Sequence, residues 1–228
     1  MAVVEKGLDL MAQLGATLVD TDTGNPNAYG GDEFTVLLFE FKVQVAQYLA
    51  TLADTHMRTL ADLIAFDNHN CAAEMRYFGQ EVFTMAEETS GDLTDPVYTK
   101  ARARCVRLAR DEGIDAALGR DNLDAIVAPS YSFASSPAAV AGYPDLAIPL
   151  GLTTKGVPAG FWMYGTAGTD TRLLRFAADI ESARGEFPRP HYHGFVPEDP
   201  PDAGLCATTA TTSLPVDRLR AISGRHSW

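Results

Sequence analysis

Cysteine is scarce in this sequence. The chain has 228 residues and only three cysteines, Cys71, Cys105 and Cys206, none of them in a Cys-x-x-Cys pair. So sparse and odd a set does not suggest a disulfide framework, and reduced thiols in a reducing, cytoplasmic setting are expected. Long apolar runs are missing too. No stretch approaches the roughly 18 uncharged apolar residues of a membrane span, and Glu5, Lys6 and Asp9 interrupt the N-terminal segment where a signal peptide would carry its apolar region. Positive charge is short: Lys and Arg number 18 against 30 Asp and Glu, for a net charge of -12. Such a surface repels phosphates, so neither nucleic acid nor an anionic membrane is expected as a partner.

What is present suits a buried core, because 46% of the residues are hydrophobic. Val3, Val4, Leu8 and Met11 recur near helical spacing and predict a helix over 2–13. Residues 16–19 read as a strand, and 20–32, rich in Asp, Asn, Gly and Pro, as a surface loop. Leu37, Leu38, Phe41, Val45 and Leu49 form one stripe of a helix over 33–53. Thr59 with Asp62 three residues on resembles a capping box opening a further helix through Phe66. A helix is expected over 71–87, and another from Pro96 to about Leu118, with Asp95 as its N-cap.

The texture then changes. Residues 124–129 read as a buried strand, 130–142 as a loop of small residues, and 146–149 and 159–164 as two more strands joined by a turn around Lys155 and Gly156. Thr169 or Asp170 can cap a last helix. Beyond Arg184 the pattern fades into a proline-rich stretch, and residues 199–228 are expected to form a disordered tail behind a folded part spanning 1–198. Four scattered strands are few for this length and need partners to complete a sheet.

The order of several segments carries a resemblance. LLFEFKVQVAQYLA, RTLADLIAFDNHN, EMRYFGQEVF, ARARCVRLARDEGIDAAL, LDAIVAPS, SSPAAVAGYPDLAIPLG, GVPAGFWMYG and TDTRLLRFAADIESA follow one another as in the C-terminal region of the amidase-signature family. Each string alone is weak, but their order and spacing over about residues 5–198 make the signal. The resemblance implies an α/β fold: helices packed on an incomplete mixed β-sheet. It also implies hydrolysis of a carbon–nitrogen bond in a linear amide by a serine nucleophile, a second serine in a cis peptide and a lysine, with neither metal nor organic cofactor.

The family's catalytic segment is a Gly-Ser-Ser-Gly-Gly-Ser type loop followed by a short Gly-Ser segment, and this sequence has neither. Its adjacent serines are Ser135 and Ser136, and its lysines are Lys6, Lys42, Lys100 and Lys155. No catalytic residue carries over. In the family the loop after the strand matching 124–129 borders the active-site cleft, which implies a substrate-binding wall at Ser130, Tyr131, Ser132 and Phe133. His56 and His69 are expected at helix ends, and Cys71 and Cys105 as buried apolar residues. The expected function is that of an amidase fragment, inactive alone. Two alternatives stay open: a non-catalytic partner that pairs with a separate chain carrying the missing half, and a binding module that holds a small amide in the residual pocket.

Overall fold

Helix α1 covers Ala2–Gln13 and turns Val4 and Gly7 inward, as the periodicity predicts. The structure is a computed structural model, and it describes residues 2–132, 135–189 and Cys206. It divides into two units, one built from the segments ending at Val36 and beginning at Pro96, the other from Leu37–Asp95 together with Cys206.

In the first unit three strands form one sheet: β1 (Ile126–Pro129), β2 (Asp145–Leu152) and β3 (Pro158–Tyr164). Their order is β1-β3-β2, so β3 is central and both of its neighbours run antiparallel to it. The register sets Ala128 opposite Trp162, and Ile148 opposite Phe161, with an irregularity between Pro149 and Gly151.

Side chains alternate across a pleat. One sheet face carries Ile148, Phe161 and Met163, covered by Val4 of α1 and by Leu173 and Ile180 of α9 (Asp170–Arg184). The Arg184 guanidinium ties α9 back to the sheet by donating to the Pro149 carbonyl. The other face carries Ile126 and Tyr164. These pack with Cys105 at the end of α6 (Pro96–Cys105), with Ala109 and Ile114 of the π-helical stretch Val106–Ile114, with Ala117 and Leu118 of α7 (Asp115–Asp121), and with Ala138 and Ala141 of α8 (Ser135–Ala141). The result is helices on a small sheet, the α/β class expected, with every described strand pair antiparallel.

Helix α2 begins at Gly30 and ends at Ala50, a little earlier at both ends than its stripe suggests. In the second unit, α3 (Leu60–His69) opens on the expected capping box: Thr59 accepts from the Asp62 N–H, and Asp62 accepts from the Thr59 N–H. These hydrogen bonds, with a further one from the Arg58 N–H, hold the Asp62 carboxyl below the usual carboxylate range. Lys42 donates to the Glu87 and Thr89 carbonyls at 2.7 and 2.9 Å, closing the end of α5 (Glu81–Glu87). The Phe41 and Phe83 rings meet at 5.2 Å.

Four expectations are corrected. Residues 16–19 form no strand, because the ladder a strand requires is not supplied by any described neighbour. The helix expected over 71–87 is split into α4 (Cys71–Glu74) and α5. Gly79 lies in the gap, where it weakens helix continuity, and the Gln80 side-chain amide donates to Asn68 instead. The small-residue stretch after β1 contains helix α8. Cys71 is disulfide-bonded to Cys206, with Cα atoms 5.6 Å apart across 135 residues of sequence. That proximity comes from the fold and leaves no trace in cysteine spacing. Cys105 is buried and free, as expected. The expectation of a disordered tail falls outside the described residues apart from Cys206.

Candidate functional site

The loop after β1 is held by its serines. Ser130 donates its backbone N–H to the Gly160 carbonyl at 2.8 Å, and its hydroxyl oxygen accepts from the Gly160 N–H at 2.9 Å. Ser132 turns back on the strand end, its N–H and hydroxyl both donating to the Pro129 carbonyl, at 3.0 and 2.6 Å. These two side chains therefore shape the loop. Tyr131, 55% exposed, leaves its ring accessible beside them. Phe133 lies outside the described residues.

Ser130, Ala128 and Ile126 share a sheet face with Trp162 and Tyr164, by the register. Toward Ile126 and Tyr164 this face is sealed by helices. Toward Trp162 it is looser: Trp162 is half-buried and Ala147, opposite it, is exposed. Two buried polar atoms on this face have no hydrogen-bond partner, the Trp162 indole nitrogen and Asp145 Oδ1. Burial pushes the Asp145 carboxyl up, a hydrogen bond from the Leu146 backbone opposing it. An unpaired buried donor and acceptor each carry a desolvation cost.

A second polar group was not found by sequence reasoning. Ser136, within the stretch read as a loop, stands in the first turn of α8 and donates to Glu33 Oε2 at 3.3 Å. It also hydrogen-bonds the hydroxyl of Tyr29, whose pKa burial and the nearby Glu33 push up to about 12. Burial likewise raises Glu33, with the Ser136 hydrogen bond opposing it, and raises the Cys105 thiol to about 11, helped by Asp32 and Glu33. A signal existed: Pro137 near the start and Gly142 just past the end are the usual flanks of a helix. No lysine is assembled with Ser136 among the described residues, so the group lacks a base–nucleophile–oxyanion arrangement and acts as a polar clasp between α2 and α8.

The clasp has a pH signature. Folded Glu33 keeps its proton to higher pH than the unfolded chain does, so its contribution to stability falls as pH rises from the ordinary carboxylate value of 4.5 through its raised one. Glu33→Gln should therefore gain stability relative to the parent as pH rises from 4 to 7, measured by urea unfolding. A relative loss over that interval would contradict the assignment.

The lysines do not assemble with a serine. Lys42 is committed to α5, while Lys6, Lys100 and Lys155 are exposed. His56 and His69 are exposed as well. Among the described residues no His, Cys, Asp and Glu group could hold a metal ion, and no helix is long and apolar enough to cross a membrane. A shallow groove of about 580 Å³ lies at the start of α9, where Arg172 pairs with Asp124 at 3.1 Å and Arg175 and Phe176 complete the lining.

No family model matches the chain. It is 36% identical over 154 residues to the "Probable amidase" of Arabidopsis thaliana, a match covering 67% of this chain and 29% of that protein. Native peptide amidase from Stenotrophomonas maltophilia superposes with a TM-score of 0.71 at 38% identity, covering 79% of this chain and 39% of the other. An amidase family protein from Bacillus anthracis gives 0.69 and 28%, covering 80% and 35%. The chain thus spans well under half the length of each of these proteins.

Proposed function

We propose, from the premise that this chain is related to the amidase-signature family over part of those proteins' length, that it forms the pocket-wall portion of a hydrolase for linear amides and is inactive alone. The observation that carries this reading is a mismatch. The chain shares its fold with 39% of a peptide amidase, yet none of its lysines lies buried beside a serine among the described residues. In this reading Ser130 and Ser132 hold the loop, and Tyr131, with Phe133, lines the wall against which the substrate lies. Trp162 lies on the same sheet face as Ser130. The nucleophile, its base and the oxyanion donors come from a segment of the family fold that these residues do not supply. No metal or organic cofactor takes part.

The test is ammonia release. The purified chain, given a panel of peptide amides, arylamides and aliphatic amides, should release no ammonia above the buffer control. Turnover abolished by Ser135→Ala would overturn the reading, because it would locate a working nucleophile in this chain. A further arm is ligand binding without turnover. A primary amide should quench or shift Trp162 fluorescence, and Trp162→Phe should remove that response.

A further inference from the structure

The Cys71–Cys206 disulfide lies in the second unit and fastens a weak element of it. Cys71 is the first residue of α4, a helix of four residues. One turn of helix is not stable by itself and persists only when it is attached to the rest of a fold. Its N-cap adds little. Asn70 makes no side-chain bond into α4 and donates its amide to the Phe66 carbonyl at 2.9 Å, back toward α3. The turn is closed by the Ala73 and Glu74 N–H groups on the Asn70 carbonyl and by the Met75 N–H on the Cys71 carbonyl. Attachment comes from the burial of Cys71 and Met75 and from the covalent bond to Cys206.

The unit around α4 is thinly packed. Both apolar clusters found among the described residues lie in the first unit. In the second, Tyr48, Leu52, Phe66 and Phe78 stay exposed, Phe78 at 76%. A unit that buries little apolar surface depends more on a cross-link. This one joins positions 135 residues apart, and closing so long a span removes much freedom from the unfolded chain. The two sulfurs are placed unequally: Cys71 is buried, whereas Cys206 is half-buried. Exchange requires a thiolate to reach one sulfur and expel the other, so the approach is from the Cys206 side.

We propose that this pair is a thiol–disulfide exchange site for low-molecular-weight thiols of the glutathione class, and that its redox state sets how firmly α4 is held. The incoming thiolate bonds to the Cys206 sulfur, the Cys71–Cys206 bond breaks, and Cys71 leaves as a thiolate that takes up a proton. A second small thiolate attacks the first one's sulfur in the mixed disulfide and expels Cys206, which is protonated in turn. Two electrons have then passed from two small thiols to the protein, leaving one small disulfide, and that small disulfide reverses both steps. The inference is independent of the amidase reading. The buried, free Cys105 of the first unit is a built-in control.

The full 228-residue chain is treated with reduced glutathione without denaturant, alkylated with iodoacetamide and mapped by mass spectrometry, with hydrogen exchange on the same samples. Label is expected on Cys71 and Cys206 but not on Cys105. The Ala73, Glu74 and Met75 amides should exchange about tenfold faster or more, while the β3 amides stay unchanged. Oxidised glutathione should restore both the bond and the protection. In Cys71→Ser it should add one glutathione to Cys206, the adduct of the first step. Cys206→Ser should show the faster α4 exchange without any thiol and no further response to reduced glutathione. Three free thiols after treatment with oxidised glutathione would overturn the inference. So would a disulfide that opens only in denaturant or together with exposure of Cys105, reduction that leaves α4 exchange unchanged, or no adduct on Cys206 in Cys71→Ser.

Discussion

Gly160→Ala should destabilise the first unit by roughly 3 kcal/mol or more, and urea unfolding followed by Trp162 fluorescence would measure it. A methyl group at Gly160 would sit 2.0 Å from the Ile148 carbonyl oxygen and 3.0 Å from the Pro149 Cα. Those are backbone atoms of the paired strand, and they cannot rotate away as a side chain can. Relief requires β2 and β3 to separate, which breaks the pairing that holds the central strand on that side. The loop suffers too, because Gly160 bonds Ser130 through both its N–H and its carbonyl. Against a typical total of roughly 5–15 kcal/mol, such a loss leaves little folded protein in reserve. A change within about 0.5 kcal/mol would mean that the strands can move apart cheaply, and would refute the pairing of Ile148 with Phe161.

Phe161→Ala should cost roughly 3–5 kcal/mol for the opposite reason. Phe161 is 1% exposed and fills the space between the sheet, α1 and α9. Its removal deletes transfer free energy and leaves a void that the rigid sheet cannot close. The neighbourhood offers a sharper check. A methyl group at Gly7 would lie 3.0 Å from the Phe161 ring and 2.4 Å from a Leu150 methyl, the end of a flexible side chain. Gly7→Ala alone should therefore destabilise by overpacking, whereas in the Phe161→Ala background it should do less harm, since the ring is gone and Leu150 has room to turn. Additive losses in this double-mutant cycle would show that the two sites do not share one space.

Much of the scaffold was legible because local chemistry fixed it. The Thr59–Asp62 box opens α3, apolar spacing marks α1 and α9, and the runs ending at Pro129 and Tyr164 are strands. What was not legible depends on distant partners. Residues 16–19 have a strand's pattern, but a pattern does not supply a ladder. In α8, Ala138 and Ala141 are buried without forming a stripe of large residues, so the helix reads as a loop until the π-helical stretch is packed against it. The same holds at the site. The loop Ser130–Ser132 follows β1 where the run ending at Pro129 puts it. The Ser136–Glu33–Tyr29 clasp joins residues more than 100 positions apart, and the unpaired Trp162 and Asp145 atoms become visible only once burial is known.

The strand order also bears on when each piece of the sheet can form. β2 and β3 are joined by a tight turn in which Thr153 bonds Val157 at 2.8 Å, so they can pair as soon as both exist. β1 comes earlier in the chain, but its described partner is the last strand to appear. Its pairing is non-local and must wait for a long loop to close, the slower kind of event in folding. During synthesis from the N-terminus, the pairing of β1 with β3 can form only after the β2–β3 hairpin has followed β1 out.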